Sequence, residues 1–176
     1  MASEFASLIS RAPVTVNVAG AEVVIPYAPA AAWIEAIEQP AYVAFHLADG
    51  PSREALLRVL LEVPGAEQAL EHQSHALIAR ATGRARWWEG VRLANTAASA
   101  DVLGHLVLAG VDPHARTIGE WCAAMYAVAT KDADDTGRIR FEMQLAFPPS
   151  GFEDRWDDGE DYDQMVAGFR DLPGMS

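Results

Sequence analysis

The chain has 176 residues, of which 51% are hydrophobic, and its formal net charge is −12 from 13 basic and 25 acidic side chains. This length and apolar content are typical of one globular domain with a sizeable core. The negative charge argues against a nucleic acid partner and against anionic membrane surfaces, because both bind positively charged protein faces. A basic or hydrophobic protein partner fits the charge better.

Cysteine content and the N-terminal segment both indicate a cytoplasmic protein. Cys122 is the single cysteine, so an intrachain disulfide is excluded, as is usual in a reducing compartment. Residues 1–13 lack the basic start and the apolar run of a signal peptide. The longest apolar runs fall short of a membrane span.

Residues 14–25, VTVNVAGAEVVI, predict a β-hairpin. Valines alternate with polar residues in the first half, and Ala19-Gly20-Ala21 can turn the chain. Because a two-stranded hairpin is marginally stable alone, we expect it to pack on helices or to join another strand.

From Pro29 onward the spacing of apolar residues predicts about six helices. Leucines 56, 57, 60 and 61 recur at helical spacing, and so do the less exposed candidates of the next segment, Leu70, His75, Leu77 and Ile78. Predicted helices include 30–38, 42–47, 66–80 and 84–98, with breaks at Pro40, Pro64-Gly65 and Gly83.

Two later helices have predicted ends. Gly110 is expected to end one of them as a left-handed cap before Pro113. Thr117 and Glu120 have the spacing of a capping box, which starts a helix with one apolar stripe. The stripe residues are Ile118, Trp121, Cys122, Met125 and Tyr126.

Residues 138–147, RIRFEMQLAF, are consistent with a strand or a helix. Apolar residues alternate strictly from Ile139 to Phe147, which favours a strand. Thr136, after two aspartates, can instead cap a helix.

Pro148-Pro149 marks the clearest boundary, so we divide the chain into an N-terminal segment (1–13), a single domain (14–149) and an acidic tail (150–176). Residues 151–176 hold eight acidic and two basic residues. The net charge of this segment is half of the chain's net charge. We expect this tail to be partly disordered alone and able to fold on a partner. Aromatic residues lie between its acids: Phe152, Trp156, Tyr162 and Phe169.

Motifs for chemistry are mostly lacking. The sequence has no phosphate-binding loop, dinucleotide fingerprint or nucleophile elbow. His72 and His75, beside Glu71, could direct two ligands to one metal, but a third ligand is not apparent, and a half-buried polar edge is the simpler interpretation. Asp154–Asp163 lacks two key ligands of an EF-hand loop. Cys122 is expected to be a buried structural thiol, and we predict no catalytic residue, cofactor or metal.

Residues 85–93, ARWWEGVRL, combine two tryptophans with arginines. Successive helical residues differ by about 100°, so the two rings cannot share one narrow face. Trp87 falls on a stripe with Val91 and Ala94, whereas Trp88 falls beside Arg84 and Arg92. One tryptophan is therefore expected in the core and the other at its rim or in an interface. The candidate partner-binding residues are Trp88, Arg84, Arg92, Trp156, Tyr162 and Phe169.

Three segments and a final proline pair carry a resemblance to a known family. They are WWEGVRLANTA (87–97), GHLVLAGVDP (104–113), IGEWCAAMYAVAT (118–130) and the aromatic-containing stretch that ends at Pro148-Pro149. Together with the hairpin and Trp33, they resemble the tail assembly chaperones of long-tailed phages (siphophages) that infect actinobacteria. The resemblance covers about residues 14–149.

The resemblance implies a mainly α protein without enzymatic activity, and it favours a helix for 138–147. Such proteins bind the long, hydrophobic, helical tape measure protein, keep it soluble and help tail tube subunits assemble around it. It also implies self-association and a location in the cytoplasm of the bacterial host during phage assembly.

Two alternatives remain open at this point. One is a virion structural protein, such as a head–tail connector or a minor tail component, which would have a similar composition. The other is a small enzyme that uses Glu71, His72 and His75 around a metal.

Overall fold

A computed structural model of the chain describes residues 11–96, 104–106, 108–112 and 114–152. These residues are mainly helical and begin with a small β-hairpin, which confirms the predicted fold class. The predictions made for residues 1–10 and for the acidic tail from residue 153 lie outside the described residues.

The chain divides into two compact units, Met1–Val128 and Ala129–Ser176. This division falls earlier than the predicted boundary at Pro148-Pro149. The first unit contains the hairpin and all the helices up to Val128. The second unit contains the last described helix.

The hairpin consists of β1 (Val14–Val18) and β2 (Ala21–Ile25), which pair in antiparallel register with Val14 opposite Ile25. Ala19 and Gly20 both have positive φ (50° and 93°), as the tight turns that match strand twist require. The Asn17 side chain accepts a hydrogen bond from the Gly20 N–H (3.0 Å) and supports the turn. The predicted hairpin is therefore confirmed, with a two-residue turn.

Among the described residues, seven α-helices have defined bounds. They are α1 (Ala30–Ala36), α2 (Val43–Leu47), α3 (Gly50–Glu62), α4 (Ala66–Thr82), α5 (Trp87–Asn95), α6 (Ile118–Ala129) and α7 (Asp135–Ala146). A 3₁₀ helix (Pro40–Tyr42) precedes α2, and residues 104–106 and 108 are also helical. No helix in this described part is long and apolar enough to cross a membrane.

Helix α4 is the centre of the first unit. It packs against β1, the 3₁₀ helix, α2 and α5. All four residues predicted to be less exposed on this helix are buried: Leu70, His75, Leu77 and Ile78. The Ser74 hydroxyl, also buried, accepts a hydrogen bond from the Ala44 N–H (3.1 Å) at the start of α2. This bond satisfies one of the amides that a helix start leaves unpaired.

Residues at the start of α3 form hydrogen bonds with the edge of β2 that does not pair with β1. Asp49 is the N-cap, and its carboxylate accepts a hydrogen bond from the Ser52 N–H (2.9 Å). The Ser52 hydroxyl in turn accepts from the Val24 N–H (2.9 Å), and the Asp49 N–H donates to the Val24 carbonyl (3.1 Å). These bonds fix the hairpin against the helical part of the unit.

Most predicted helix ends agree with the structure. Gly110 has a φ of 66°, and the Val111 N–H donates to the Leu106 carbonyl (3.0 Å), as in a left-handed cap. Helix α5 is shorter than the predicted 84–98 helix, because Gly83 has a φ of 69° and Arg86 is extended.

Residues 138–146 are helical rather than extended, and Phe147 is the C-cap. They belong to α7, which ends at Ala146. The N-cap is Asp134, whose carboxylate accepts from the Gly137 N–H (2.7 Å), and not Thr136 as the sequence suggested. The strict alternation of apolar residues was therefore misleading about this segment.

Candidate partner-binding surface

Of the two adjacent tryptophans, Trp88 lies in the core and Trp87 is half-buried. Only 6% of Trp88 is exposed, so its ring does not lie on the surface. A role of Trp88 in partner binding stays a prediction, whereas the predicted helix face with Trp88 beside Arg84 is not observed. The reason is that α5 begins at Trp87, so Arg84 precedes the helix and the extrapolated helical face does not include it.

Trp87 packs on the face of His75. The two rings are parallel within 3°, with centroids 4.0 Å apart. The His75 Nδ1 atom lies 4.0 Å from a Glu71 carboxylate oxygen. His75 is therefore a buried packing residue of α4, and the expectation of a half-buried edge underestimated its burial.

The arginines around the tryptophans have partners within the chain. The Arg84 guanidinium lies 4.9 Å from the centroid of the Tyr126 ring, a cation–π distance. Arg86 pairs with the buried carboxylate of Glu89 (3.1 Å) and lies 6.0 Å from the Trp88 ring centroid. Arg92 is half-buried, and desolvation lowers the pKa of its guanidinium while the Glu89 carboxylate raises it. This cluster is therefore part of the packing between helices.

Helices α5 and α6, which belong to two of the segments that carry the family resemblance, meet in the core of the first unit. The Trp121 indole N–H on α6 donates to the Ala94 carbonyl on α5 (3.2 Å). The Cys122 thiol lies 3.8 Å from the Gly90 carbonyl, at hydrogen-bond distance for sulfur. Burial raises the pKa of Cys122 to about 12, although the positive charge of Arg84 acts in the opposite direction. Cys122 is thus the buried structural thiol that the sequence predicted.

The predicted capping box of α6 is present. The Glu120 N–H donates to the Thr117 hydroxyl (3.2 Å), and the Thr117 N–H donates to the Glu120 carboxylate (2.8 Å). The other candidate residues, Trp156, Tyr162 and Phe169, lie outside the described residues.

The proposed metal ligands do not converge. His72 is exposed on α4, whereas His75 is buried against Trp87. Within the part of the chain that the structure describes, no group of three or more potential ligands comes together.

An exposed apolar surface lies on α3, and sequence reasoning did not single it out. We call it the α3 stripe: Leu57 (47% exposed), Leu61 (87%) and Val63 (39%). Leu56 is instead fully buried. Two adjacent leucine pairs cannot all face one core at 100° per residue, so the LLxxLL spacing was the signal that could have revealed it.

A pocket of about 410 Å³ lies between the hairpin and the helices of the first unit. Most of its lining residues are apolar in type, and Arg80 supplies the one charged side chain among these described residues. The lining consists of Ala12, Pro13, Val14, Thr15, Ile25, Pro26, Tyr27, Ala28, Trp33, Leu77, Arg80, Ala81, Thr117 and Ile118.

Comparisons of the chain with protein-family models, with curated proteins and with solved structures give no match.

Proposed function

We propose that this chain is a non-enzymatic chaperone that binds a hydrophobic, helical segment of a client protein. The observation that carries the proposal is the α3 stripe, which presents Leu57, Leu61 and Val63 to solvent. An amphipathic helix can bind such a stripe through its own apolar residues, spaced three or four apart.

The shape of the stripe suits a helix. Leu57 and Leu61 lie one turn apart on α3, and Val63 is the residue that follows the helix. Such a surface is convex, and convex helix surfaces pack against other helices by fitting ridges into grooves. Small molecules bind in concave sites instead.

Charged residues beside the stripe are available to a client. Glu54, Arg58 and Glu62 are exposed, and within the described part of the chain none of them makes an ion pair or a side-chain hydrogen bond. The net charge of −12 would keep an apolar complex in solution and would attract a basic client.

More particularly, we propose a tail assembly chaperone of a siphophage that infects actinobacteria. The resemblance of residues 14–149 to that family supports this role. The client would be the tape measure protein, kept soluble in the host cytoplasm while tail tube subunits assemble around it. Self-association would present several α3 stripes to one long client and raise the avidity of binding.

The test is co-expression with a helical fragment of the tape measure protein from the same phage. We expect the fragment to become soluble and to co-purify with the chaperone. The double variant Leu57→Gln, Leu61→Gln should bind the fragment at least about tenfold more weakly, because two apolar contacts are lost.

Leu108→Gln is the matched control, because Leu108 is as exposed (89%) as Leu61 but lies outside the stripe. If the wild-type chain neither binds the fragment nor improves its solubility, the proposal fails. Mass spectrometry of purified virions gives an independent check: a chaperone should be absent from them, whereas a connector or a minor tail component should be present.

A further inference from the structure

We propose that the pocket beside the hairpin binds a segment of a partner protein in which a carboxylate lies next to an apolar side chain. This inference does not depend on the chaperone function or on the α3 stripe. It rests on the shape, the lining and the charge of the pocket.

The walls of the pocket select an apolar side chain. Ile25, Trp33 and Leu77 contribute apolar surface from the hairpin, α1 and α4, and Ile118 contributes from α6. A volume of about 410 Å³ is at the lower end of the range for ligand sites and holds a large side chain with part of its backbone.

The charge of the pocket selects an anion. Arg80 lines it, and within the described residues the Arg80 guanidinium makes no ion pair or side-chain hydrogen bond. Arg11 lies over the ring of Tyr27, another lining residue, with its guanidinium carbon 5.6 Å from the ring centroid. Both arginines therefore bring positive charge to a pocket in a strongly acidic chain.

Among the described residues, no carboxylate lies in the lining beside this charge. Of the lining residues that the structure describes, none is an aspartate or a glutamate. Glu120, which bonds to the lining residue Thr117, is engaged in the capping box. A guanidinium in this setting can bind an incoming carboxylate through two parallel hydrogen bonds.

The open mouth favours a peptide over an enclosed small molecule. Tyr27 is 39% exposed and Arg80 is also exposed, so the charged end of the site faces solvent. A peptide can place one apolar side chain between the walls while its backbone continues outside and a neighbouring carboxylate reaches Arg80. A small ligand would leave much of its surface in water.

The probe for the test is an acetylated and amidated peptide, Gly-Glu-Phe-Glu-Gly, titrated into the full chain and followed by two-dimensional NMR. We expect saturable shifts at the pocket. Arg80→Gln should weaken binding about tenfold or more, because a charge-assisted hydrogen bond is lost. Gly-Gln-Phe-Gln-Gly and Gly-Glu-Ala-Glu-Gly should bind similarly more weakly than the probe.

Arg140→Gln is the matched control, because Arg140 is also exposed and without an ion pair in the described residues but lies on α7. Arg80→Gln should unfold at the same temperature as the wild type, so that its loss of binding reports on the site. The proposal is overturned if the probe gives no saturable shift, or if Arg140→Gln weakens binding as much as Arg80→Gln. Equally tight binding of 3-phenylpropionate would indicate a small-molecule site and overturn the assignment to a protein segment.

Discussion

The backbone of Gly90 on α5 lies against the side chain of Thr82 on α4, so that a Cβ atom at residue 90 would overlap Thr82 Oγ1 and lie 2.8 Å from its Cγ2. Thr82 cannot easily move away, because its hydroxyl donates to the Ile78 carbonyl (2.8 Å). The close approach of α4 and α5 therefore requires glycine at residue 90.

Gly90→Ala should destabilise the protein by about 1–2 kcal/mol, because the cost of overpacking exceeds the gain in helix propensity. Urea denaturation measures this as a lower midpoint. Gly104→Ala is the control, since residue 104 is helical and a Cβ there would meet nothing within 4 Å. A Gly90→Ala midpoint equal to that of the control would contradict the packing described for α4 and α5.

Trp88→Ala should be far more destabilising than Trp87→Ala. Trp88 is buried, and replacing a buried tryptophan by alanine costs about 3–5 kcal/mol. Trp87 is half-buried and loses mainly its stacking on His75. Denaturation midpoints of the two variants give the comparison. An equal loss of stability in both variants, or a larger loss in Trp87→Ala, would contradict the assignment of Trp88 as the buried member of the pair.

Thr117→Ala should destabilise the protein by about 1 kcal/mol, because the Glu120 N–H loses its acceptor at the start of α6. Thr117→Ser keeps the hydroxyl and should retain most of that stability. Thermal unfolding of the two variants separates the cap from the burial of the threonine methyl group. A serine variant as unstable as the alanine variant would show that the methyl group matters more.

Cys122 should react slowly with thiol reagents in the folded protein near neutral pH and rapidly in urea, because the folded pKa is about 12 and the thiol is buried. The raised pKa also has a consequence for stability. The contribution of the neutral Cys122 thiol to the free energy of unfolding is complete below the ordinary pKa of 9.0. It is lost as the pH rises from there toward about 12. The stability of the wild type relative to Cys122→Ala should therefore fall over this interval. A constant difference between the two would contradict the raised pKa.

Asp49 should contribute less to stability in acid. Hydrogen bonding from the Ser52 side chain and backbone holds the pKa of Asp49 below its ordinary value of 3.8. The ionised Asp49 carboxylate therefore contributes to the free energy of unfolding above that value. This contribution is lost as the pH falls through the lower pKa that Asp49 has in the folded state. Asp49→Asn keeps a good N-cap acceptor but cannot ionise. The urea denaturation midpoints of the wild type and this variant should converge as the pH is lowered. A difference between the two midpoints that widens instead would contradict the lowered pKa of Asp49.

Local features of the fold were predictable because they depend on neighbours within a few residues. The hairpin at 14–25 follows from alternation and a turn at Ala19-Gly20, and the caps at Gly110 and Thr117 follow from backbone and hydrogen-bonding preferences of single residues. Residues 138–147 show the limit of this reasoning, since an alternating pattern belongs to a helix that Asp134 caps.

The surfaces that the proposals use were decided by tertiary packing. The sequence by itself determined that residues 14–130 include helices with apolar faces, because apolar residues at helical spacing lie on one side of a helix. Only the folded chain decided that Leu56 is buried while Leu57 and Leu61 are exposed, and that Trp88 rather than Trp87 lies in the core. It also brought Arg80 to a pocket with the hairpin. The physical reason is that burial depends on which elements meet and where each helix begins, and those contacts join residues far apart in the chain.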